Sequence, residues 1–268
     1  MPFYDAGDAA IYYEDEGQGL PLVLLHGYAL NGVMWDLQIP IFAKSFRVIN
    51  VDLRGFGKSS CGNKWSGSVM AADVSGLIKS LSLENIAILG FSMGGPVAFR
   101  AALENPDLVS RLIMVSSILP SAGRPKAPKE IISQQKEIEI LRSKGIIGWA
   151  ESTGLWSGPL VNGMFDGNLD IRPLWEKLIA RHNFDYLMNM MTARLSSAPS
   201  ANWRSRLGEI KQETLIIMGE SDSYFIDGCR ILAESIPNSE LKIISNAGHM
   251  LNLEALEQFN PIILNYIK

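Results

Sequence analysis

The chain has 268 residues, 47% of them hydrophobic, which is enough for one large domain with a substantial core. Its net charge of -4, with lysines and arginines scattered along the chain, argues against nucleic acid or an anionic membrane as a partner. No apolar run reaches the ~18 residues of a membrane span, and the acidic N-terminus lacks a signal-peptide pattern, so we expect a cytoplasmic protein. Two cysteines without a CxxC spacing favour free thiols over a disulfide framework or a metal site.

Apolar runs of strand length alternate with segments that are compatible with helices along most of the chain. The predicted strands are AIYYE, PLVLLHG, FRVINVD, NIAILGF, RLIMVSS, TLIIMGE and LKIISNA. Helices are predicted over residues 68–82, 93–104, 227–236 and 253–267. Most of the strand runs are continuously apolar, which is typical of parallel strands buried on both faces. The alternation therefore predicts a doubly wound α/β sheet.

Strand signals vanish over residues 120–205. Helical patterns such as EIISQQKEIEILRSKG and PLWEKLIARHNFDYLMNMMTARL replace them, and four of the six tryptophans lie there. We therefore expect a helical cap, residues 120–205, inserted into an α/β core formed by residues 1–119 and 206–268. Because the chain has no internal repeat and no long Gly/Ser linker, we expect the cap to pack on the core.

The stretch Gly90-Phe91-Ser92-Met93-Gly94 fits the pattern G-x-S-x-G, after an apolar strand and before a helical segment. A strand that turns sharply into a helix strains the residue at the apex, and glycines prevent collisions on either side of it. The N-terminus of the following helix favours a developing oxyanion at the same point. Ser92 is therefore the candidate nucleophile. The alternative interpretation is a glycine-rich turn with a serine that caps the helix.

A serine nucleophile requires a base, and the chain has three histidines. His249 follows the strand LKII and precedes a helical segment, so it lies on a loop at the carboxyl edge where catalytic groups of open α/β sheets collect. We expect His26 to hydrogen-bond backbone and shape the following loop, and His182 to be a core or solvated histidine of the cap. His249 is therefore the candidate base.

The histidine in turn requires an acid that fixes its tautomer. Asp222 follows the strand TLIIM at the same edge and completes the chain order Ser, Asp, His. Among the rivals, we expect Asp227 to cap the following helix and Asp52 to tie down a loop. Glu220 is the second choice for the acid.

Five motifs occur together in one order along the chain. They are His26-Gly27, Val51 to Ser59, Gly90 to Gly95, Gly219 to Asp222, and Gly248-His249. With these motifs the sequence resembles the α/β-hydrolase family over essentially its whole length. The resemblance implies a doubly wound, mostly parallel eight-stranded sheet with a helical cap inserted between the sixth and seventh strands.

The resemblance also implies an oxyanion hole formed by two backbone N–H groups, those of Met93 and Tyr28. The expected reaction is acyl transfer from Ser92 to water with His249 as the base, and it requires no metal or organic cofactor. Relatives that dehalogenate haloalkanes or open epoxides carry aspartate at the nucleophile position, so serine favours an ester, thioester or lactone. The closest subgroups in appearance are small carboxylesterases, 3-oxoadipate enol-lactonases and cofactor-free haloperoxidase-type esterases.

We expect a small, largely apolar substrate. The candidate substrate contacts are Tyr28, Trp149, Trp156, Tyr224 and Phe225. Trp149 and Trp156 belong to the predicted cap, whose aromatic side chains can cover an apolar site. Tyr224 and Phe225 directly follow Asp222, and Tyr28 follows His26-Gly27. An equal alternative is that most cap residues only pack the helices together. The expected partner is a small molecule, and the chain is expected to be a monomer or a homodimer.

Arginines in this sequence form no cluster that argues for a phosphate or polycarboxylate substrate. Single arginines such as Arg124, Arg181 and Arg194 remain able to bind one carboxylate. Two other functions stay open: hydrolysis of a carbon-carbon bond in a vinylogous diketone by the same triad, and a ligand sensor that retains a slow hydrolase site.

Overall fold

The computed structural model describes residues 3–119, 126–153, 172–197 and 202–268, and the strands in these ranges form one sheet. The strands are β1 (Phe3–Asp5), β2 (Ala10–Glu16), β3 (Leu20–Leu25), β4 (Phe46–Val51), β5 (Ile86–Phe91), β6 (Val109–Val115), β7 (Glu213–Gly219) and β8 (Ser239–Ile244). Their order is β1-β2-β4-β3-β5-β6-β7-β8. The pairs β1-β2 and β2-β4 are antiparallel, and the remaining neighbours are parallel. The predicted mostly parallel eight-stranded sheet is confirmed.

The centre of the sheet is covered on both faces. Every residue of β5 is buried, as are the last four residues of β3. Side chains of a strand alternate between the two faces, so uninterrupted burial requires helices or loops on each side. The run LKII, predicted as a similar strand, lies in the edge strand β8, where Ile243 is 45% exposed.

Helices connect the strands, and three of the described helices lie between β6 and β7. The described α-helices are α1 (Ile39–Phe42), α2 (Gly67–Ser80), α3 (Gly94–Glu104), α4 (Pro128–Ser152), α5 (Arg172–Arg181), α6 (Phe184–Ser196), α7 (Ile226–Ser235), α8 (Leu251–Glu254) and α9 (Leu256–Ile267). Helices α4 and α6 pack against each other. Within the described ranges, no helix combines the length and the apolar composition that crossing a membrane would require.

Helices α4, α5 and α6 occupy the part of the chain in which the cap is predicted, and "cap helices" below means these three. The division into a core and a cap at residues 119/120 and 205/206 stays a prediction. The segment predicted as one helical pattern over residues 173–195 is two helices, because the chain leaves the helix after Arg181. Asn183 then caps α6, since its side chain accepts a hydrogen bond from the Tyr186 N–H at 3.1 Å.

The end of α5 is fixed to the core by buried polar contacts. Arg181 donates from Nε to Asp52 at 2.9 Å, and Gly57 N–H donates to His182 Nδ1 at 3.0 Å. Asp52 also accepts from the N–H groups of Gly32 and Lys58 at 2.7 and 2.9 Å. The prediction that Asp52 ties down a loop is therefore confirmed, and the same carboxylate holds a cap helix in place.

Candidate active site

Ser92 occupies the apex of the turn between β5 and α3. Its φ of 48° lies in the left-handed region that side chains rarely adopt. The turn is held from β6, because the Ser92 N–H donates to the Val115 carbonyl at 2.9 Å and Ser117 Oγ donates to the Ser92 carbonyl at 2.7 Å. A Cβ on Gly90 would lie 2.2 Å from the Gly94 carbonyl oxygen. The glycine is thus required by the close approach of strand and helix.

Asp222 and His249 lie on neighbouring loops and form a hydrogen bond. His249 Nδ1 and Asp222 Oδ2 are 2.8 Å apart, and both side chains are buried. The two loops approach closely because Gly219, at the end of β7, has no side chain: a Cβ there would lie 2.2 Å from the Gly248 carbonyl oxygen. The structure therefore brings the predicted acid and the predicted base together.

Two phenylalanine rings hold the His249 imidazole. The Phe225 ring stacks on it with centroids 4.5 Å apart and an interplanar angle of 25°, and the Phe91 ring lies 4.9 Å away. Phe91 directly precedes Ser92, so the imidazole lies beside the turn that carries the candidate nucleophile. Among the hydrogen bonds of the described residues, none joins Ser92 Oγ to His249. The role of Phe225 as a substrate contact stays a prediction, and its observed contact is with the imidazole.

Glu254, which the sequence analysis did not single out, braces the loop of His249. Its carboxylate accepts hydrogen bonds from the N–H groups of Gly248 and Met250, the second at 2.9 Å. Burial raises the pKa of Glu254, whereas the two hydrogen bonds lower it. The sequence feature that points to Glu254 is its position as an acidic residue in the helical segment after the loop of His249.

The residues considered as alternative acids or bases do not take part in the contact between His249 and Asp222. Glu220 accepts from the Asn246 N–H at 3.2 Å and so braces the same loop. His26 Nε2 accepts from the Leu53 N–H at 2.8 Å, which confirms the prediction that it hydrogen-bonds backbone. The prediction that Asp227 caps α7 is wrong: the capping position is Phe225, and Asp227 lies in the first turn of the helix.

The two predicted oxyanion donors, the N–H groups of Met93 and Tyr28, follow β5 and β3. Within the described ranges, no acceptor takes either N–H. A Cβ on Gly94 would lie 2.6 Å from the Leu25 carbonyl oxygen, so the glycine lets the start of α3 pack against the end of β3. Their function as an oxyanion hole stays a prediction.

The Tyr28 side chain connects the loop after β3 to the cap helices. Its hydroxyl donates to Glu137 at 2.7 Å and accepts from Arg194 at 2.6 Å, and Arg194 also donates to Glu137 at 3.0 Å. Burial raises the pKa of Tyr28 well above its ordinary value, so the hydroxyl stays protonated. The Trp149 ring, fully buried, meets the Tyr28 ring edge to face at 6.3 Å.

The other predicted substrate contacts differ in their surroundings. Tyr224 is 75% exposed and packs its ring against Phe225 at 5.0 Å. Trp156 lies outside the described residues. The described part of the chain has no group of three or more His, Cys, Asp or Glu side chains that could hold a metal ion.

Comparisons with known proteins agree with this fold. Residues 21–256 match the family model of the alpha/beta hydrolase fold, and the chain belongs to this family. The resemblance that the sequence motifs indicated is therefore confirmed.

Relatives within the family carry names of several kinds. The chain is 30% identical to a putative non-heme chloroperoxidase of Synechocystis sp. over all of both chains. It is also 30% identical to a 2-hydroxy-6-oxononadienedioate/2-hydroxy-6-oxononatrienedioate hydrolase of Pseudomonas putida, covering 97% of this chain and 92% of that one. The structure is similar to that of an esterase from Exiguobacterium antarcticum, with a TM-score of 0.79, 26% identity and 99% and 98% of the chains covered.

Proposed function

We propose that this protein is a serine hydrolase that cleaves a carboxylic ester, thioester or lactone through Ser92, His249 and Asp222. The observation that carries the proposal is the buried hydrogen bond between His249 and Asp222, beside a serine in left-handed conformation at a strand-to-helix turn. Membership of the α/β-hydrolase family supports it, as does the similarity to an esterase structure.

In the proposed mechanism each of the three side chains takes part in a defined step. Because Asp222 Oδ2 accepts from the Nδ1–H of His249, the imidazole keeps Nε2 available to take the proton of Ser92 Oγ as the serine attacks a carbonyl carbon. The N–H groups of Met93 and Tyr28 then stabilise the oxyanion, and removing such a donor typically costs roughly 2.7 to 4 kcal/mol. After the alcohol or thiol leaves with that proton, His249 activates water to cleave the acyl-serine.

The second candidate is hydrolysis of a carbon-carbon bond, and the similarity to 2-hydroxy-6-oxononadienedioate hydrolases favours it. The same triad would act, with ketonisation of the substrate before hydrolysis. Comparing kcat/KM for p-nitrophenyl esters with kcat/KM for a vinylogous diketone separates the two reactions. A sensor would differ from both, since it would release one equivalent of product and then stop.

Labelling and mutation test the proposal together. A fluorophosphonate should label Ser92 with one equivalent, and Ser92→Ala should lower kcat for p-nitrophenyl acetate by about 10⁶. Asp222→Asn should lower kcat by about 10⁴ while the fold is retained, because the imidazole loses its partner. Glu220→Gln is the matched control and should keep its activity. Most of the activity surviving in Ser92→Ala, or equal losses in Asp222→Asn and Glu220→Gln, would reject the assigned triad.

A further inference from the structure

A cleft of about 970 Å³ lies between the starts of α2 and α3 and the cap helices α4 and α6. Its wall is strongly cationic. The charged residues that line it are Lys64, Arg100, Lys126, Arg194 and Arg204, with Glu130 as the one carboxylate among the described lining residues. The chain as a whole has a net charge of -4, so its average composition does not account for this concentration of positive charge.

Two of the five cations have carboxylate partners. Arg100 pairs with Glu104 at 2.7 Å and Arg194 with Glu137 at 3.0 Å, and neither carboxylate lines the cleft. These pairs fix the two guanidinium groups at the wall. Each guanidinium has five N–H donors, so one carboxylate partner leaves further donors available.

Of the other three cations, Lys126 and Arg204 hydrogen-bond to neutral groups among the described residues. No described carboxylate forms an ion pair with Lys64, Lys126 or Arg204. Lys126 donates to backbone carbonyls at the end of α6 and to Ser197 Oγ, the latter at 3.1 Å, and Arg204 Nε donates to the Leu119 carbonyl at 3.0 Å. Within the described part of the chain these three charges therefore have no ion-pair partner, and Glu130 is the carboxylate that acts on Lys126 from a distance.

The positive charges of these side chains also repel one another. Burial lowers the pKa of Lys126 and the nearby Arg194 lowers it further, while the Glu130 carboxylate raises it. Like charges held together at a cleft weaken each other, and an anion between them would remove that repulsion. The beginning of α2 lines the same cleft from Ser66 to Val69, so the positive end of a helix adds to the field of the side chains.

The cleft adjoins the proposed catalytic groups on two sides. Arg194, on its wall, donates to the hydroxyl of Tyr28, whose N–H is the proposed oxyanion donor. Tyr224, also on its wall, packs against Phe225, and the Phe225 ring stacks on His249. The cleft is thus linked to the proposed catalytic groups through the side chains of Tyr28 and Phe225, and a substrate that extends past them would reach it.

We propose that this cleft binds an oxyanion with two or more negative charges, a phosphate or a pair of carboxylates, on the part of the substrate away from the scissile bond. Arginine and lysine side chains suit such a group because charge-assisted hydrogen bonds to oxyanions are strong and arginine binds them bidentately. The inference rests on the proposed hydrolase function and replaces the expected largely apolar substrate with one that carries a charged end.

Binding is tested by calorimetry on the Ser92→Ala protein at low salt, so the result does not depend on turnover. Pyrophosphate and citrate are the probes, and acetate is the singly charged control. At least one probe should bind more tightly than acetate, and its affinity should fall about tenfold when Lys64→Gln and Arg204→Gln are combined. The matched control, Lys44→Gln with Lys211→Gln, removes the same charge at exposed positions outside the cleft and should keep the affinity.

Each outcome of this titration has a defined meaning. Tighter binding of pyrophosphate assigns the cleft to phosphate, and tighter binding of citrate assigns it to carboxylates. Two results would overturn the proposal. If neither probe binds more tightly than acetate, the cleft has no site for a multiply charged anion. If both double variants lose the same affinity, the binding depends only on the overall charge of the protein.

Turnover then tests whether the bound group belongs to the substrate. Wild-type protein should hydrolyse thioesters or esters that carry the preferred anion with a kcat/KM at least about tenfold above that of the uncharged analogue, and the cleft double variant should lose this ratio. An unchanged ratio with Ser92 still labelled by fluorophosphonate refutes the cleft proposal alone. If the wild-type protein shows neither fluorophosphonate labelling nor turnover but still binds the anion, the hydrolase function is refuted instead.

Discussion

Two buried histidines make the stability of this protein depend on pH in the mildly acidic range. His26 and His182 both accept a hydrogen bond from a backbone N–H, which only an unprotonated ring nitrogen can do. Burial lowers the pKa of His26 to about 3 and that of His182 to about 4, from 6.5 in the unfolded chain. Both rings are therefore neutral in the folded protein at pH 5.5.

The sign and size of the effect follow from these pKa values. Between pH 6.5 and about 4, the unfolded chain binds two protons that the folded chain excludes. The stabilisation is thus fully present above pH 6.5 and is lost as the pH falls. At pH 5.5 each histidine lowers the free energy of unfolding by about 1.4 kcal/mol relative to its value at neutral pH. The two together lower it by roughly 3 kcal/mol, which is a large part of the stability of an ordinary domain.

The assay compares urea unfolding of wild type and His182→Asn at several pH values between 7.5 and 5. Asparagine retains an acceptor near the position of Nδ1 but does not titrate, so the slope of the unfolding free energy should fall by about 1.4 kcal/mol per pH unit below pH 6. Burial raises the pKa values of Asp73 and Glu254, so these groups increase the free energy of unfolding as the pH falls. This contribution is the same in wild type and in His182→Asn. Coincident slopes for the two proteins would refute the reasoning.

Three further predictions concern the fold that carries the site. Gly90→Ala should destabilise the protein by about 3 kcal/mol in urea unfolding, because its Cβ would strike the α3 backbone, while Gly208→Ala, with open space around it, should change little. Arg181→Met should cost about 3 to 5 kcal/mol, since it leaves the fully buried Asp52 carboxylate without its ion pair, and thermal unfolding would measure the loss. Burial raises the pKa of both cysteine thiols to about 11, so a thiol reagent at pH 8 should label two equivalents only after unfolding.

The strands of the sheet could be predicted because burial on both faces leaves a continuous apolar run in the sequence. Strand β1 was not predicted, since it has three residues and lies at the exposed edge of the sheet. The break between α5 and α6 was missed for another reason. The apolar pattern continues across it, but the side chain of His182 is used by a core loop and that of Asn183 by a helix cap.

The residues of the proposed triad could be found because each one follows an apolar strand, and strand ends of a parallel sheet meet at one edge. Their supporting contacts could not be found in this way. Ser117 and Glu254 act through backbone groups of the two catalytic loops, and Phe225 acts by stacking on an imidazole. These contacts join segments that are far apart in the chain, and no periodicity marks them.

The cationic cleft is a further feature that sequence patterns do not predict, because its residues are far apart in the chain. The sequence contains no cluster of arginines that argues for a phosphate or polycarboxylate substrate. The charges come from α3, from α6 and from three connecting segments spread over residues 64 to 204, and only folding brings them to one wall. Scattered charge in a sequence therefore excludes a linear basic motif and does not exclude a basic site.

The contacts that build the catalytic edge are indifferent to the substrate. In the proposed mechanism, the close approach of Gly90 to α3 and of Gly219 to the histidine loop would serve any acyl group, since it positions a hydroxyl and an imidazole. Proteins similar to this chain carry the names of a putative non-heme chloroperoxidase, a 2-hydroxy-6-oxononadienedioate/2-hydroxy-6-oxononatrienedioate hydrolase and an esterase, as expected when one fold hosts several reactions. We therefore expect selectivity to arise where the cap helices meet the loop of Tyr28, so that variants of the cleft should identify the substrate and variants of the proposed triad should not.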